Sequence, residues 1–188
     1  DTAEYLASVE RVKKALDRPA LSADLLVGFP GEGDSEFQNT LDNVRRIGFS
    51  RIHIFPFSAR PGTAAASMKD LPPPDAVRVR RAALGDVAKE MQVSFQKSLH
   101  GSADSLLLEE GFSGLSGRYQ RVELAAASAA TLAESNPEAS DRKGQFRVEL
   151  ELSGGRLFGH LPGAPRELPR PAARDAAYIL GGSLPILP

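Results

Sequence analysis

The chain of 188 residues contains no cysteine and no tryptophan, and its 24 acidic and 23 basic residues leave a net charge of −1. Without cysteine it has none of the thiolates that hold iron–sulfur clusters. Its three histidines are scattered and form no metal-binding set. No Ser/His/Asp order points to one nucleophilic site. A net charge this close to zero produces no overall field toward nucleic acid or membrane.

Long apolar runs are absent as well. No segment approaches the roughly 20 residues that a membrane-spanning helix needs. We therefore expect a cytoplasmic protein without membrane contact. A chain of this length can hold one ordinary domain, or a partial domain followed by a small module.

Two runs, residues 22–29 and 51–57, alternate apolar and polar side chains and then break into Gly/Pro loops. Each predicts a strand with one apolar face for helices and an opposite face that carries Asp24 or His53. The apolar faces are expected to comprise Leu25, Val27 and Phe29 in the first run and Ile52, Ile54 and Pro56 in the second. Parallel strands bring such loops to one edge, where α/β proteins bind ligands. The two-faced strands suit a barrel, complete or partial, with a polar ligand inside.

Helical patterns surround these strands. The sequence Ser35-Glu36-Phe37-Gln38 matches a capping box with Ser35 as the N-cap, and Gly48 is placed to end that helix. A helix before the first strand then gives the order helix, strand, helix, strand, which predicts parallel pairing with right-handed crossovers. After three prolines, apolar spacing predicts a long helix from Asp75 to about His100.

The pattern changes to short strands beyond residue 104. The candidate strands are residues 105–109, 118–124, 145–152 and 156–161. Four or five short strands make a small antiparallel barrel. Residues 125–143, rich in Ala, Ser and acidic side chains, predict a long loop. Residues 163–188 are rich in proline and predict an irregular tail.

Several stretches resemble the radical S-adenosylmethionine methylthiotransferases. They are Asp1-Thr2-Ala3-Glu4-Tyr5-Leu6, Asp24-Leu25-Leu26-Val27-Gly28-Phe29-Pro30-Gly31-Glu32 and Phe57-Ser58-Ala59-Arg60-Pro61-Gly62-Thr63-Ala64-Ala65. The segment His53-Ile54-Phe55-Pro56-Phe57-Ser58 is most similar to the branch that thiomethylates threonylcarbamoyladenosine beside the tRNA anticodon. The run Tyr119-Gln120-Arg121-Val122 and its position resemble the TRAM domain, an RNA-binding module. The resemblance is specific over residues 1–100 and weaker as far as residue 161.

The resemblance implies an α/β fold in two parts. Residues 1–100 would be the C-terminal part of a radical SAM (β/α) barrel with its linking helix, and residues 101–162 a TRAM-like antiparallel β-barrel. The family uses S-adenosylmethionine and [4Fe–4S] clusters, with a tRNA anticodon stem-loop as substrate. Its cluster cysteines lie N-terminal to the matching stretch, so we expect this chain to require the N-terminal portion of the same enzyme and to be inactive alone. The alternatives are a branch acting on isopentenyladenosine or a ribosomal protein, or a non-catalytic RNA-binding or scaffold relative.

The resemblance also implies site residues, although it names no catalytic residue and no metal ligand. The implied cofactor-binding residues are Asp24, Gly28, Gly31, Phe55 and Arg60. The glycines have a plainer alternative as a tight turn, Asp24 as a satisfied interior carboxylate, and Arg60 as a donor of loop hydrogen bonds. Arg60 could also bind an RNA phosphate. Glu32 beside the helix start is explained by the helix dipole alone.

RNA contact is harder to reconcile with charge. Residues 100–162 hold nine acidic and six basic side chains, a net of −3, whereas RNA binders usually present a basic face. Any RNA contact would therefore depend on a local patch of arginines. The candidates are Arg118, Arg121, Arg147 and Arg156. The alternative is a structural β module that only supports the barrel.

Overall fold

The computed structural model describes residues 2–109, 111–135 and 144–164. The chain forms two compact units, Asp1–Leu99 and His100–Pro188. The first has helices packed on one face of a parallel strand pair, and the second contains a closed β-barrel. None of the described helices is long and apolar enough to cross a membrane.

The first unit alternates helices and strands in the predicted order. Its elements are α1 (Thr2–Ala15), β1 (Ser22–Val27), α2 (Asp34–Ile47), β2 (Arg51–Pro56), a 3₁₀ turn (Ala64–Ser67) and α3 (Pro74–Leu99). Strands β1 and β2 run parallel, with Ser22 opposite Arg51 and Val27 opposite Pro56. Parallel neighbours need a crossover connection, and α2 supplies it. The predicted parallel β/α units are confirmed.

The hydrophobic core of this unit lies on one face of the strand pair. It is built from α1, α2, α3 and the inward-facing strand residues. Its buried members are Leu6, Val9, Val27, Phe37, Leu41, Val44, Ile47, Phe49, Leu84 and Val87. The strand residues packed against them are Ala23, Leu25, Ile52 and Ile54. Burial therefore follows the predicted alternation along both strands. The apolar residues of α2 that recur at helical spacing are all buried, as that spacing predicts, and they are Phe37, Leu41, Val44 and Ile47.

Two residues predicted on the apolar faces are exposed instead. Phe29 is 41% exposed. Strand β1 ends at Val27, and Gly28 at φ +84° turns the chain out of the alternation. Pro56 is exposed at the last position of β2. Phe29 thus lies beyond the end of β1, whereas Pro56 is the terminal residue of β2.

The capping box predicted with Ser35 as the N-cap is wrong, because α2 begins two residues earlier. Gly33 is the N-cap, and its N–H donates to the Glu36 carboxylate at 3.1 Å. Ser35 therefore lies inside the first turn. At the other end Gly48 closes the helix as predicted, with φ +66° and its N–H donating to the Val44 carbonyl at 2.9 Å.

The second unit is a closed five-stranded barrel with one helix. Its elements are β3 (Ala103–Leu108), β4 (Ser113–Ser116), β5 (Arg121–Leu124), α4 (Ala126–Ser135), β6 (Gln145–Ser153) and β7 (Arg156–His160). The strands are ordered β3-β4-β5-β7-β6 around the barrel. Four of the pairs are antiparallel, as predicted, but β5 and β7 run parallel. The barrel is therefore mixed, because the connection through α4 and β6 returns the chain beside β5 in the same direction.

Two local predictions in this unit are corrected. The segment expected to be a loop from residue 125 begins with α4, and residues 136–143 lie outside the described part of the chain, as do residues 165–188 of the predicted tail. The strand predicted from Arg118 starts only at Arg121, because Tyr119 at φ +56° belongs to a tight turn. Strand β4 was missed because its two serines and Gly114 have the composition of a turn.

Candidate functional site

The turn after β1 is held by its own backbone and by one carboxylate. Gly28 at φ +84° donates its N–H to Glu32 Oε2 at 2.7 Å, and the Glu32 N–H donates to the Phe29 carbonyl at 2.9 Å. Gly31 at φ +83° donates its N–H to the Asp70 carbonyl at 2.6 Å. The positive φ values are why glycine stands at both positions. Both amides are satisfied within the protein, which fits the plainer role as a tight turn.

A buried arginine on α3 stabilises this turn through hydrogen bonds to its carbonyl and carboxylate groups. Arg80 Nη1 donates to the Glu32 carbonyl at 2.7 Å and lies 3.2 Å from Glu32 Oε2, while Nη2 donates to Asp34 Oδ1 at 2.8 Å. The side chains of Arg80 and Glu32 are only 9% and 11% exposed. The guanidinium carbon also lies 5.7 Å from the centre of the Phe37 ring. The hydrogen bond to Asp34, followed by that to Glu32, raises the pKa of Arg80.

Sequence reasoning missed this cluster and assigned Glu32 only to the helix dipole. A signal was present on α3, where Val77, Arg80, Leu84 and Val87 recur at helical spacing and place an arginine on the buried face. A buried charge needs a partner, and the acidic turn before α2 is where that partner lies. The cluster joins α3 to the loop that carries the predicted ligand-binding glycines.

Gly28 is also required by packing. A Cβ atom built at this position would lie 2.7 Å from Val77 Cγ2 and 3.1 Å from its Cγ1. At Gly31 no atom lies within 4 Å of the equivalent position. Gly28 thus permits close approach of α3, and its implied part in cofactor binding stays a prediction.

The outer face of the strand pair is exposed and mixed in character. Asp24 lies opposite His53 and Leu26 opposite Phe55 in the register of the two strands. All four are exposed, with Leu26 at 56% and Phe55 at 48%. Asp24 is therefore not a buried interior carboxylate in this structure. The face offers carboxylate, imidazole and aromatic groups to a ligand that is partly apolar and partly charged.

The loop after β2 closes the same edge. The Phe57 N–H donates to the Val27 carbonyl at 2.8 Å, and the Phe57 ring meets that of Phe29 edge-on, with centroids 5.2 Å apart. The Arg60 carbonyl accepts from Thr63 Oγ1 at 2.8 Å. This loop is held by the backbone of Arg60, whose exposed guanidinium has no acidic partner within the described residues. The guanidinium is thus available to a carboxylate or a phosphate.

In the second unit, three of the four predicted RNA-binding arginines pair with carboxylates. Arg118 Nη1 lies 3.2 Å from Asp104 Oδ2, and these side chains are 16% and 8% exposed. Arg121 pairs with Glu109, and Arg156 pairs with Glu123. These sequence-distant acids neutralise much of the charge that the RNA prediction relied on.

The four arginines do not form one patch. Arg121 and Arg156 are neighbours on β5 and β7, since Val122 pairs with Leu157. Arg156 pairs with Ser153 on β6. Arg147 lies six residues further along β6, a distance of about 20 Å at the usual rise of a strand. Arg147 is exposed, and it faces the solvent side of the β3–β6 pair.

No family profile matches the chain, but individual proteins do. The tRNA-2-methylthio-N(6)-dimethylallyladenosine synthase of Maricaulis maris is 33% identical over 166 residues, 87% of this chain and 35% of the relative. The enzyme of the same name from Methylococcus capsulatus is 40% identical over 122 residues, 63% of this chain and 27% of the relative. The threonylcarbamoyladenosine tRNA methylthiotransferase of Thermotoga maritima is 35% identical over 106 residues, 56% of this chain and 24% of the relative.

The chain is a partial match to the radical S-adenosylmethionine methylthiotransferase family. It spans between 24% and 35% of the length of these three relatives. Relatives named for dimethylallyladenosine and for threonylcarbamoyladenosine match the chain at similar identity, so the comparisons do not resolve the branch. The closed barrel of the second unit is consistent with the TRAM module expected for the family.

Proposed function

We propose that this chain is part of a tRNA methylthiotransferase that adds a methylthio group to threonylcarbamoyladenosine beside the anticodon. The observation that supports the reaction is the match to methylthiotransferases over as much as 87% of the chain. The residues 53–58 support the branch. They lie on β2 and the start of its loop, and they include the exposed His53 and Phe55.

The chemistry of the exposed face favours the same branch. The threonylcarbamoyl group ends in a carboxylate, whereas the dimethylallyl group is entirely hydrocarbon. Arg51 and His53 share the exposed face of β2 with Phe55. A guanidinium and an imidazole suit the carboxylate of the threonylcarbamoyl group, and a hydrocarbon group offers them no partner.

Dimethylallyladenosine is the second candidate substrate. It is favoured by the relative from Methylococcus capsulatus, which is 40% identical and carries that substrate in its name. Both candidates require the same transfer to an adenosine carbon, and they differ in the group on N6.

The cofactor requirements divide between this chain and the rest of the enzyme. The chain has no cysteine, so its residues do not fit an iron–sulfur cluster, and in the proposed enzyme the clusters would be held outside this chain. Asp24 and Phe55 are exposed on neighbouring strands and Arg60 is exposed in the loop that follows. We propose that these residues contact S-adenosylmethionine, which in this family supplies the radical that removes hydrogen from a C–H bond. Asp24 would accept hydrogen bonds from the ligand, Phe55 would pack on its adenine, and Arg60 would bind its carboxylate. The Gly28 and Gly31 turn would bound the site, and we expect the enzyme in the cytoplasm, with tRNA.

The deciding experiment is nucleoside analysis of tRNA from a strain that lacks the gene for this protein. Liquid chromatography and mass spectrometry should show loss of methylthio-threonylcarbamoyladenosine and accumulation of threonylcarbamoyladenosine. The methylthio form of dimethylallyladenosine should stay unchanged and serves as the internal control. Its loss instead would establish the second candidate. No change in either nucleoside would refute both and favour a non-catalytic relative.

A further inference from the structure

The turn between β4 and β5 presents one aromatic side chain to solvent. Tyr119 is 75% exposed and adopts φ +56°, a conformation that is unusual for a bulky residue. Backbone strain of this kind persists only where the surrounding structure enforces it. The Tyr119 N–H donates to the Ser116 carbonyl at 2.9 Å, and the Ser116 N–H donates to the Gln120 carbonyl at 2.9 Å.

Buried side chains hold the turn in this shape. Ser116 Oγ accepts from the N–H groups of Arg118 and Gln120 at 3.2 and 3.3 Å. Gln120 Nε2 donates to the Arg118 carbonyl at 3.2 Å. Ser116 and Gln120 are each only 5% exposed. Together with the ion pair from Arg118 to Asp104, these bonds make a rigid turn from which the Tyr119 ring projects.

The turn lies beside the exposed surface of β3 and β6. The Gly117 N–H donates to the Ser105 carbonyl at 2.9 Å, and Ser105 pairs with Arg147 on the other side of β3. The backbone of Arg147 is thus about 10 Å from that of Gly117, which is two strand spacings across the sheet. An open cavity of about 440 Å³ lies on this surface, lined by residues 103–105 and 145–147. Among the four arginines, Arg147 is the one without an acidic partner in the described part of the chain.

We propose that Tyr119 stacks on an unpaired base of the tRNA while Arg147 contacts the adjoining phosphate backbone. The proposal rests on the proposed function, which supplies RNA as the partner. Stacking on an aromatic ring needs no positive charge and is a usual mode of recognition for single-stranded RNA. It explains how a module with a net charge of −3 over residues 100–162 can bind RNA although three of its arginines are paired internally. Arg118 then positions the turn and does not contact phosphate.

The test measures binding of a labelled anticodon stem-loop RNA to the full chain by fluorescence anisotropy. Tyr119→Phe should bind like the wild type, because stacking needs the ring and not the hydroxyl. Tyr119→Asn should bind about tenfold more weakly, in line with the loss of one stacked base. Asparagine tolerates positive φ, so this variant removes the ring and keeps the turn. A fully paired RNA duplex should bind both variants equally.

Salt dependence separates the two contacts. Arg147→Gln should reduce the slope of log affinity against log salt by about one, whereas Tyr119→Asn should leave it unchanged. Equal affinity of Tyr119→Asn and wild type for the stem-loop would overturn the proposal and leave the exposed ring to a protein contact. Absence of RNA binding by the wild-type chain would also overturn it. In that case the nucleoside analysis still decides the proposed function independently.

Discussion

Replacing Arg80 with leucine should strongly destabilise the turn between β1 and α2, although Arg80 itself lies on α3. The substitution keeps an apolar stem on the buried face of α3 and removes the guanidinium that contacts Glu32 and Asp34. Glu32, whose side chain is only 11% exposed beside Arg80, would lose its counter-charge. Leaving one member of a buried ion pair without its partner typically costs about 3–5 kcal/mol.

The expected cost lies at the lower end of that range. Glu32 keeps the hydrogen bond from the Gly28 N–H at 2.7 Å, and Asp34 is fully exposed, so its share of the interaction is screened by solvent. We therefore expect a loss of about 3 kcal/mol, or roughly 150-fold in the local opening equilibrium. The raised pKa of Arg80 adds stability that is lost only as pH rises through that pKa. The loss on substitution should thus be the same across the neutral range.

Hydrogen–deuterium exchange of the full chain, followed in peptides that cover residues 28–36, measures this opening directly. The matched control is Arg78→Leu on the same helix, where the arginine pairs with Asp75 at 3.4 Å and both side chains are more than 75% exposed. An exposed pair contributes about 0–1 kcal/mol, so exchange should change little. Exchange in Arg80→Leu within threefold of the control would refute the buried-pair reasoning. Adding Glu32→Gln to Arg80→Leu should restore part of the protection, because it removes the unpaired charge.

Three further outcomes are expected. Gly28→Ala should lower the melting temperature of the chain, because the added Cβ would lie 2.7 Å from Val77 Cγ2. Adding Val77→Ala should recover part of that loss, and purely additive effects of the two substitutions would contradict the contact. In the full-length enzyme, Asp24→Asn and Arg60→Gln should each weaken S-adenosylmethionine binding about tenfold in calorimetry, because each removes a charged hydrogen bond. Unchanged affinity in folded variants would show that these residues do not belong to the binding site. Residues 1–100 expressed alone should self-associate in light scattering, because both strands have an unpaired edge and their outer face exposes apolar side chains; a monomeric, cooperatively melting fragment would contradict this.

Local sequence pattern determined the elements of the first unit. Alternation placed Leu25 and Ile54 on the buried face, helical spacing placed Phe37 and Val44 in the core, and Gly48 ended α2. These features depend on residues within one or two turns or on the period of a strand, so they are readable from the chain itself. The order of elements then restricted the connection to a parallel crossover.

Tertiary structure decided the features that depend on residues far apart in the chain. Arg80 reaches Glu32 across 48 positions, and Arg156 reaches Glu123 across 33. No periodicity encodes such a partner, so the sequence predicted neither the Arg80 ion pairs with Glu32 and Asp34 nor the pairing of the second unit's arginines with carboxylates. The parallel pair of β5 and β7 arose in the same way, since it depends on how the whole barrel closes. Tyr119 was predicted inside a strand, and only the bonds from the buried Ser116 and Gln120 show why it projects from a turn. Side-chain type and spacing fix local conformation, whereas charge pairing and exposure are properties of the packed chain.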